Sequence, residues 1–407
     1  MFKIETECRV CQSERLLPVL DLGSQPLANS LRSDLGEQIE AVPLELVFCA
    51  DCCTSQLTAT VEPVELFRDY VWVTGTARTT RQYSGVFCDR ILGVAGQADD
   101  RMVVEVASND GTFLARFQEV GCQVLGVDPA ANIADVANEA GVPTRCDFFD
   151  LRVAGEIRAE HGSADVVIAR NVIPHVKEIH SIIGGIAHLL DDGIAVIEFH
   201  TASRIVTELH YDSIYHEHLF YFSLFTLVSL CERYGLRAFE VFDSPISGGS
   251  RVLVLARTNR AVSSALRDEM AEEEAAGLND HRAWEAFGRA SKLHALELHD
   301  VVQNRSRGSR IVGYGASARS STMLNYAGIT SDCVAAVIDE NPYKQGRYTP
   351  GTDLPIVSRP KGLDLLGREG TLLLLAWNFA DEILGELRRD GINNDVIVPL
   401  PGSVHMA

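Results

Sequence analysis

Positive charge is in short supply in this 407-residue chain. Its 36 Lys and Arg stand against 56 Asp and Glu, for a net charge of −20. No local run of basic residues offsets that balance, which disfavours a nucleic-acid or anionic-membrane surface. Long apolar runs are missing too. No stretch approaches the ~18 apolar residues of a membrane-spanning helix, and the opening MFKIETECRV has no signal-peptide core. What remains is ordinary globular material, 46% hydrophobic and 23% charged, long enough for two or three domains with their own cores. Ten cysteines without a secretory signal fit a reducing cytoplasm. There, closely paired cysteines mean metal more often than disulfide.

Four of those cysteines form two pairs, Cys8-Arg-Val-Cys11 and Cys49-Ala-Asp-Cys52. Each CxxC knuckle aims two thiolates at one point, and two knuckles complete a closed, structural zinc site. Cys53 is an extra neighbour that could replace Cys52. A lobe of residues 1–70 is too small for a sturdy core without the metal. Aromatic and hydroxyl residues follow in DYVWVTGTARTTRQY, read as a loop leading into a helix that covers the next domain.

The next α/β pattern turns on Val103–Leu114, VVEVASNDGTFL. A short β-branched run breaks at Ser108-Asn109-Asp110-Gly111 and becomes helical from Thr112. The turn has one glycine and more acid than base. That disfavours a triphosphate cradle and suits a ligand with hydroxyls and a cation, such as S-adenosylmethionine (SAM). Candidate cofactor residues are Glu105, Ala107, Ser108, Asn109, Asp110 and Gly111. Asp128 closes the second strand (Gln123–Val127), where an acid can take both ribose hydroxyls, and Pro129 opens the following helix. Asp147 and Phe148 after the third strand suit an adenine. Asn171 lies at the carboxyl end of a fourth, Asp165–Ala169. Further strands are expected at Ile194–His200, Arg237–Phe242 and Arg251–Arg257. Seven strands with a late hairpin fit a SAM-methyltransferase sheet better than a six-stranded dinucleotide sheet.

Between the fifth strand and the next helix lies YDSIYHEHLFYFS, Tyr211–Ser223, a density of titratable groups that no core needs. His216 and His218 would diverge on a helix, which argues against an HExxH-like metal site. In an extended segment they share one face, while Tyr215 and Glu217 share the other. One His as general base, oriented by a Glu or Tyr, is an economical device for taking a proton. Residues 261–307 read as a charged helical connector. A second, smaller α/β pattern fills 308–407, with Gly313-Tyr314-Gly315-Ala316-Ser317-Ala318-Arg319 after its first strand and Lys344 and Arg347 in a loop suited to a diphosphate.

With these residues in view, the chain resembles the sugar C-methyltransferases. Members are SAM-dependent enzymes that methylate a nucleotide-linked 4-keto deoxysugar beside its ketone, typically at C3, on the way to antibiotic sugars. The likeness covers the whole length in order: the CxxC…CxxC lobe, EVASNDGTFL, ARNVIPHV, IYHEHLFYFS, GYGA…LNYAGI and DENPYKQGRYTPGT. It implies an α/β fold with a class I SAM-methyltransferase core in 71–260, between an N-terminal zinc lobe on Cys8, Cys11, Cys49 and Cys52 and a C-terminal Rossmann-like domain. It further implies a base at His218, with Tyr215, Glu217 and His175 beside the reacting sugar. The acceptor is expected against Trp72, Tyr314, Ser317, Arg319 and Lys344, with the nucleotide diphosphate held by the last domain.

The expected partner is therefore a nucleotide-linked sugar or similar small molecule, and the chain is expected to be a cytoplasmic monomer or weak dimer. Three departures bear on the particular sugar: VWVTGTA where the family is Tyr- and Ser-rich, Ser247 where a His often precedes the glycines, and Asp353 where the loop usually carries His. Two rivals come from other classes. One is an NAD-dependent oxidoreductase using the C-terminal GxG. The other is a binding protein on a degenerate methyltransferase core.

Overall fold

The computed structural model describes residues 2–67, 74–76, 78–96 and 100–407. The N-terminal lobe is mostly β, with β1 (Phe2–Ile4), β2 (Leu16–Pro26), β3 (Ala41–Cys49), β4 (Ser55–Leu57) and β5 (Ala59–Val61) followed by a short helix, Pro63–Phe67. β1 pairs with β5, and β2, β3 and β4 form an antiparallel sheet.

The central unit carries β6 (Met102–Val106), β7 (Gln123–Asp128), β8 (Thr144–Cys146), β9 (Ala164–Arg170), β10 (Leu190–His200), β11 (Phe220–Tyr221), β12 (Arg237–Ser244) and β13 (Ser250–Ala256). Seven of these form one sheet in the order β12-β13-β10-β9-β6-β7-β8, parallel except for β13. This is the class I SAM-methyltransferase arrangement. Every residue of β6 is buried, as expected of a strand covered on both faces. One face packs helix Ile179–Leu189 together with the knuckle residues Cys8, Val10 and Cys49. The other packs Phe113 and Phe117 with Tyr83, Phe87 and Ile91 of helix Arg78–Ala95, the expected covering helix. The chain runs outward through β6, β7 and β8, then returns to lay β9 beside β6. That switch point is where an open α/β sheet leaves a crevice for ligands.

β11 leaves this unit and adds to the lobe, pairing with β4, so the segment after YHEH is stitched into the zinc lobe's sheet. Helix His281–Ser306 of the connector lies on β2 so closely that a side chain at Gly288 would strike the Val19 carbonyl. The C-terminal unit has β14 (Ile311–Tyr314), β15 (Val334–Ile338), β16 (Ile356–Val357), β17 (Thr371–Leu374), β18 (Asp395–Val398) and β19 (His405–Met406), in the order β16-β15-β14-β17-β18-β19. Its switch point falls between β14 and β17. A single buried cluster joins the lobe (Leu44, Leu46, Leu57), the segment after β10 (Ile205, Tyr211, Ile214) and this last sheet. Among the described residues no helix is long and apolar enough to cross a membrane.

Candidate active site at the facing sheet edges

At the end of β6 the backbone enters the left-handed region at Ala107, Asn109 and Gly111 (φ 55°, 53° and 74°). The turn folds back on β7: the amides of Ala107 and Ser108 donate to the Val127 carbonyl, at 2.7 and 3.3 Å. Asp128 accepts from the Asn109 amide through Oδ2 and from the Ala130 amide through Oδ1, both at 2.9 Å. Burial raises its pKa, and those two amides oppose the rise. The covering segment closes over the turn, with Thr74 N donating to Asn109 Oδ1 and Gly75 N to Asp110 Oδ2, each at 2.8 Å. Glu105 lies beneath, fully buried, with Oε1 3.9 Å from the Arg170 guanidinium. Loss of solvent pushes its pKa up to about 8, against the pull of Arg170. Arg170 donates to Glu198 at 2.7 Å and lies 3.2 Å from the centre of the Phe113 ring.

Asn171, φ 50°, hangs its amide on the Glu198 carbonyl at 2.7 Å. Pro129 does not open the helix as expected. The helix is Ala131–Glu139 with Ala130 as N-cap, because Asp128 already holds the Ala130 amide and delays the first helical residue. The Asp147 carboxylate meets Arg145 and Arg152, at 2.9 and 3.3 Å, while Phe148 stands exposed at the rim. The expectation at Trp72 lies outside the described residues.

The YHEH segment is not extended. It is a 3-10 turn (Tyr211–Ser213) followed by a second turn in which the His218 amide donates to the Tyr215 carbonyl at 2.8 Å. That i to i+3 closure overturns the expected alternation and places Tyr215 and His218 together. His218 Nε2 sits 2.9 Å from Tyr215 Oη, and Nδ1 sits 3.0 Å from the Ser213 carbonyl. A carbonyl only accepts, so Nδ1 carries the proton and Nε2 is left as a base receiving the Tyr215 hydroxyl. Burial and the facing His175, ring centroids 4.6 Å apart, hold His218 well below the usual histidine range. Burial likewise lowers His175 to about 4. Glu217 is buried and raised to about 7, opposed by a 2.5 Å hydrogen bond from Asn29 Nδ2 of the zinc lobe. His216 points away, its Nε2 3.1 Å from the Val42 carbonyl.

In the C-terminal unit, Tyr314 donates to Glu340 at 2.7 Å. Ser317 caps helix Ala318–Ala327 reciprocally with Ser320. Lys344 Nζ donates to the Ala316 carbonyl at 2.8 Å and lies 3.4 Å from Asp339, which accepts the Ala316 amide. Asp339 repeats at β15 the role of Asp128 at β7, but with a cation beside it. Arg319, expected at the diphosphate, grips Asp212 with two hydrogen bonds of 3.0 and 2.9 Å. Asp353, at the family's His position, pairs with Arg32 of the lobe.

The sulfurs of Cys8, Cys11, Cys49 and Cys52 lie within 4.8 Å of one another, with the cross pairs Cys8–Cys52 and Cys11–Cys49 at 3.5 Å. A tetrahedral site with Zn–S of about 2.3 Å needs edges near 3.8 Å, so the four thiols fit zinc and leave no open position. Cys53 is not in the cluster. His180 Nε2, at 3.0 Å, and Arg233, at 2.7 Å, hold the Val10 carbonyl inside the first knuckle, docking the metal lobe on the central unit.

Asn29 and Trp377 escaped the reading of the sequence, and Arg170 and Asp212 were given no role there. Arg170 carried a signal as the first residue at the carboxyl end of its strand, and Asp212 as an acid within a segment already dense in titratable groups.

Family models match three consecutive stretches: a zinc-binding domain at residues 8–67, a methyltransferase domain at 79–241 and a C-methyltransferase C-terminal domain at 245–401. The C-methyltransferase NovU of Streptomyces niveus is 33% identical over 406 residues, covering 97% of this chain and 95% of that protein. Solved structures similar to part of the chain include magnesium protoporphyrin IX methyltransferase ChlM of Synechocystis PCC 6803 with bound SAM (15% identity, TM-score 0.34, 44% of this chain and 79% of that one). Another is the PH0226 protein of Pyrococcus horikoshii OT3 (14% identity, TM-score 0.37, 48% and 98%).

Proposed function

The chain belongs to the zinc-lobed, SAM-dependent C-methyltransferase family, and from that premise we propose that it methylates the carbon beside the ketone of a nucleotide-linked 4-keto deoxysugar, C3 of a TDP-sugar, in antibiotic sugar biosynthesis. The observation that carries this reading is the Tyr215–His218 pair. A neutral imidazole with its tautomer fixed stands among the loops that follow β9 and β10, beside the switch-point crevice.

SAM, held by the 105–111 turn, Asp128, Pro129, Asp147, Phe148 and Asn171, supplies an electrophilic methyl group. His218 Nε2 takes the proton α to the ketone, whose carbonyl makes that C–H acidic. The Tyr215 hydroxyl, released from Nε2 as the substrate enters, turns to the enolate oxygen. Neutral His175, across the His218 ring, offers a second donor without adding a cation. Glu217, held by Asn29, faces the sugar hydroxyls. The remaining work is alignment of carbon and methyl, which well-oriented groups perform at little further cost. Lys344, Ser317 and Tyr314 place the nucleotide diphosphate, Arg319 being held by Asp212 instead, and Trp72 meets the sugar. The four units (1–70, 71–260, 261–307 and 308–407) act as one cytoplasmic chain, monomeric or weakly dimeric.

The test is incubation with SAM and a panel of TDP-4-keto deoxysugars, read by mass spectrometry and by S-adenosylhomocysteine release. One member should gain a single methyl. Tight binding of NADH with no methylation of any member would overturn the reading in favour of an oxidoreductase.

A further inference from the structure

The C-terminal sheet has its own switch-point crevice, between the carboxyl ends of β14 and β17. Arg319 begins the helix that follows β14, and Trp377 follows β17. Into that crevice the catalytic segment sends Asp212, whose side chain has no exposed surface. One of its oxygens accepts from Arg319 Nη2 at 2.9 Å. The other accepts from Arg319 Nε at 3.0 Å and from Trp377 Nε1 at 2.8 Å. The Arg319 guanidinium also stands 4.6 Å from the centre of the Trp377 ring. Thr322, one turn along the same helix, donates to the Ile214 carbonyl at 3.1 Å.

A buried ion pair seldom recovers its own desolvation cost against apolar side chains of the same shape, so stability alone is a poor account of this one. What it fixes is geometry. Asp212 and Ile214 flank Ser213, and the Ser213 carbonyl is what sets the proton on His218 Nδ1.

We propose that Asp212 is a positioning residue: clamped by Arg319 and Trp377 of the C-terminal unit, it holds the Ser213 carbonyl where it fixes the tautomer and ring plane of His218. The inference rests on the proposed role of His218. It also explains why a base in the methyltransferase unit is tied to the unit that would carry the nucleotide. Rotation of the Ser213 carbonyl leaves the imidazole free to place its proton on Nε2, which cannot then act as a base. The Arg319 clamp sits just after the Gly315–Ser317 loop, so occupancy of that loop would be linked to readiness of the base.

The experiment compares wild type with Asp212→Asn and Arg319→Lys in uniformly folded protein, checked by thermal melting. Two readouts are used: the 15N signals of the His218 imidazole, assigned by their loss in His218→Gln, and turnover with an acceptor that the wild type methylates. In Asp212→Asn the Nε2 signal should move from the unprotonated towards a mixed position. Turnover should fall by roughly 10-fold to 100-fold, with SAM affinity held within about threefold. Arg319→Lys keeps the charge but loses the fork, and should show a smaller shift in the same direction. Unchanged imidazole signals in whichever of the two variants folds would overturn the proposal. The nitrogen signals are read without any acceptor, so they stand or fall apart from the identity of the base. Should His218→Gln keep full turnover, the assignment of the base fails while the clamp is judged on its signals alone.

Discussion

Asn29 of the zinc lobe donates a 2.5 Å hydrogen bond to Glu217 of the YHEH segment. Two further contacts run the same way: His216 meets the Val42 carbonyl, and β11 extends the lobe's sheet. The lobe thus holds side chains of the segment that we propose to be catalytic, and the four cysteines hold the lobe together.

Loss of the metal should therefore cost catalysis more than cofactor binding. Cys49→Ser removes one of four ligands from a closed site, so the purified variant should carry well under one zinc per chain by a chelating-dye assay. Its melting temperature should fall, and turnover should drop by about 10-fold or more as Asn29 and Val42 lose their places. SAM affinity should stay within about threefold, because the 105–111 turn makes its own contacts within the central unit. Full turnover in a zinc-free variant would sink the idea that the lobe completes the site.

Replacing His218 by Ala deletes the Nε2 base while leaving Asp128 and its turn untouched. Turnover should collapse by about 10²-fold or more, measured as S-adenosylhomocysteine release under saturating SAM, with the SAM dissociation constant unchanged by calorimetry. Near-normal turnover would remove His218 from the mechanism.

Much of the fold was legible because its signals are periodic. β6, β7, β9 and β10 announce themselves as short apolar runs, and the connector helix as charged and Ala-rich. The cysteine spacing resolved into a real cluster. The YHEH segment was legible in composition but not in shape. Alternation assumes a strand, whereas Tyr211–Ser213 closes a 3-10 turn held by Arg319 and Trp377, which lie more than a hundred residues away in sequence. Such contacts leave no local pattern. Asn29 is invisible for the same reason, since nothing around it in the lobe's loop hints at Glu217. Arg319 shows the opposite failure: a base beside a glycine loop suggests phosphate, yet the fold gives it a carboxylate.

Asp128 offers a direct test of the cofactor pocket. Both oxygens hold backbone amides, and each retains lone-pair capacity for a ribose hydroxyl. Asp128→Ala orphans the Asn109 and Ala130 amides and removes the ribose acceptor. SAM affinity should weaken by about 10-fold or more, at roughly 1–3 kcal/mol for lost charged hydrogen bonds. The signals of His218, fixed from the other side of the site, should not move. Unaltered SAM binding in titration calorimetry would place the cofactor elsewhere.

Glu273 makes a prediction about stability alone. It is 4% exposed and accepts from Thr201 Oγ1 at 3.0 Å and from the Leu224 amide at 2.7 Å, tying the connector to the central unit. Burial raises its pKa from 4.5 to about 7, with hydrogen bonds from Thr201 and the Leu224 and Phe225 amides opposing the rise. A carboxyl whose folded pKa exceeds its unfolded one favours the folded state fully below pH 4.5 and loses that contribution as pH climbs through about 7. The loss is on the order of 3 kcal/mol. In Glu273→Gln the amide oxygen can still accept from Leu224 and its NH2 can donate to Thr201, with no proton to lose. Glu105 and Glu217 titrate with the same sign in both proteins, so the informative quantity is the difference in melting temperature. The variant minus wild-type difference should be zero or negative near pH 4.5, rise between pH 4.5 and 7, and level off above. A difference that stays flat, or falls with pH, would mean that Glu273 is already ionised in the folded chain, its hydrogen-bond donors outweighing its burial.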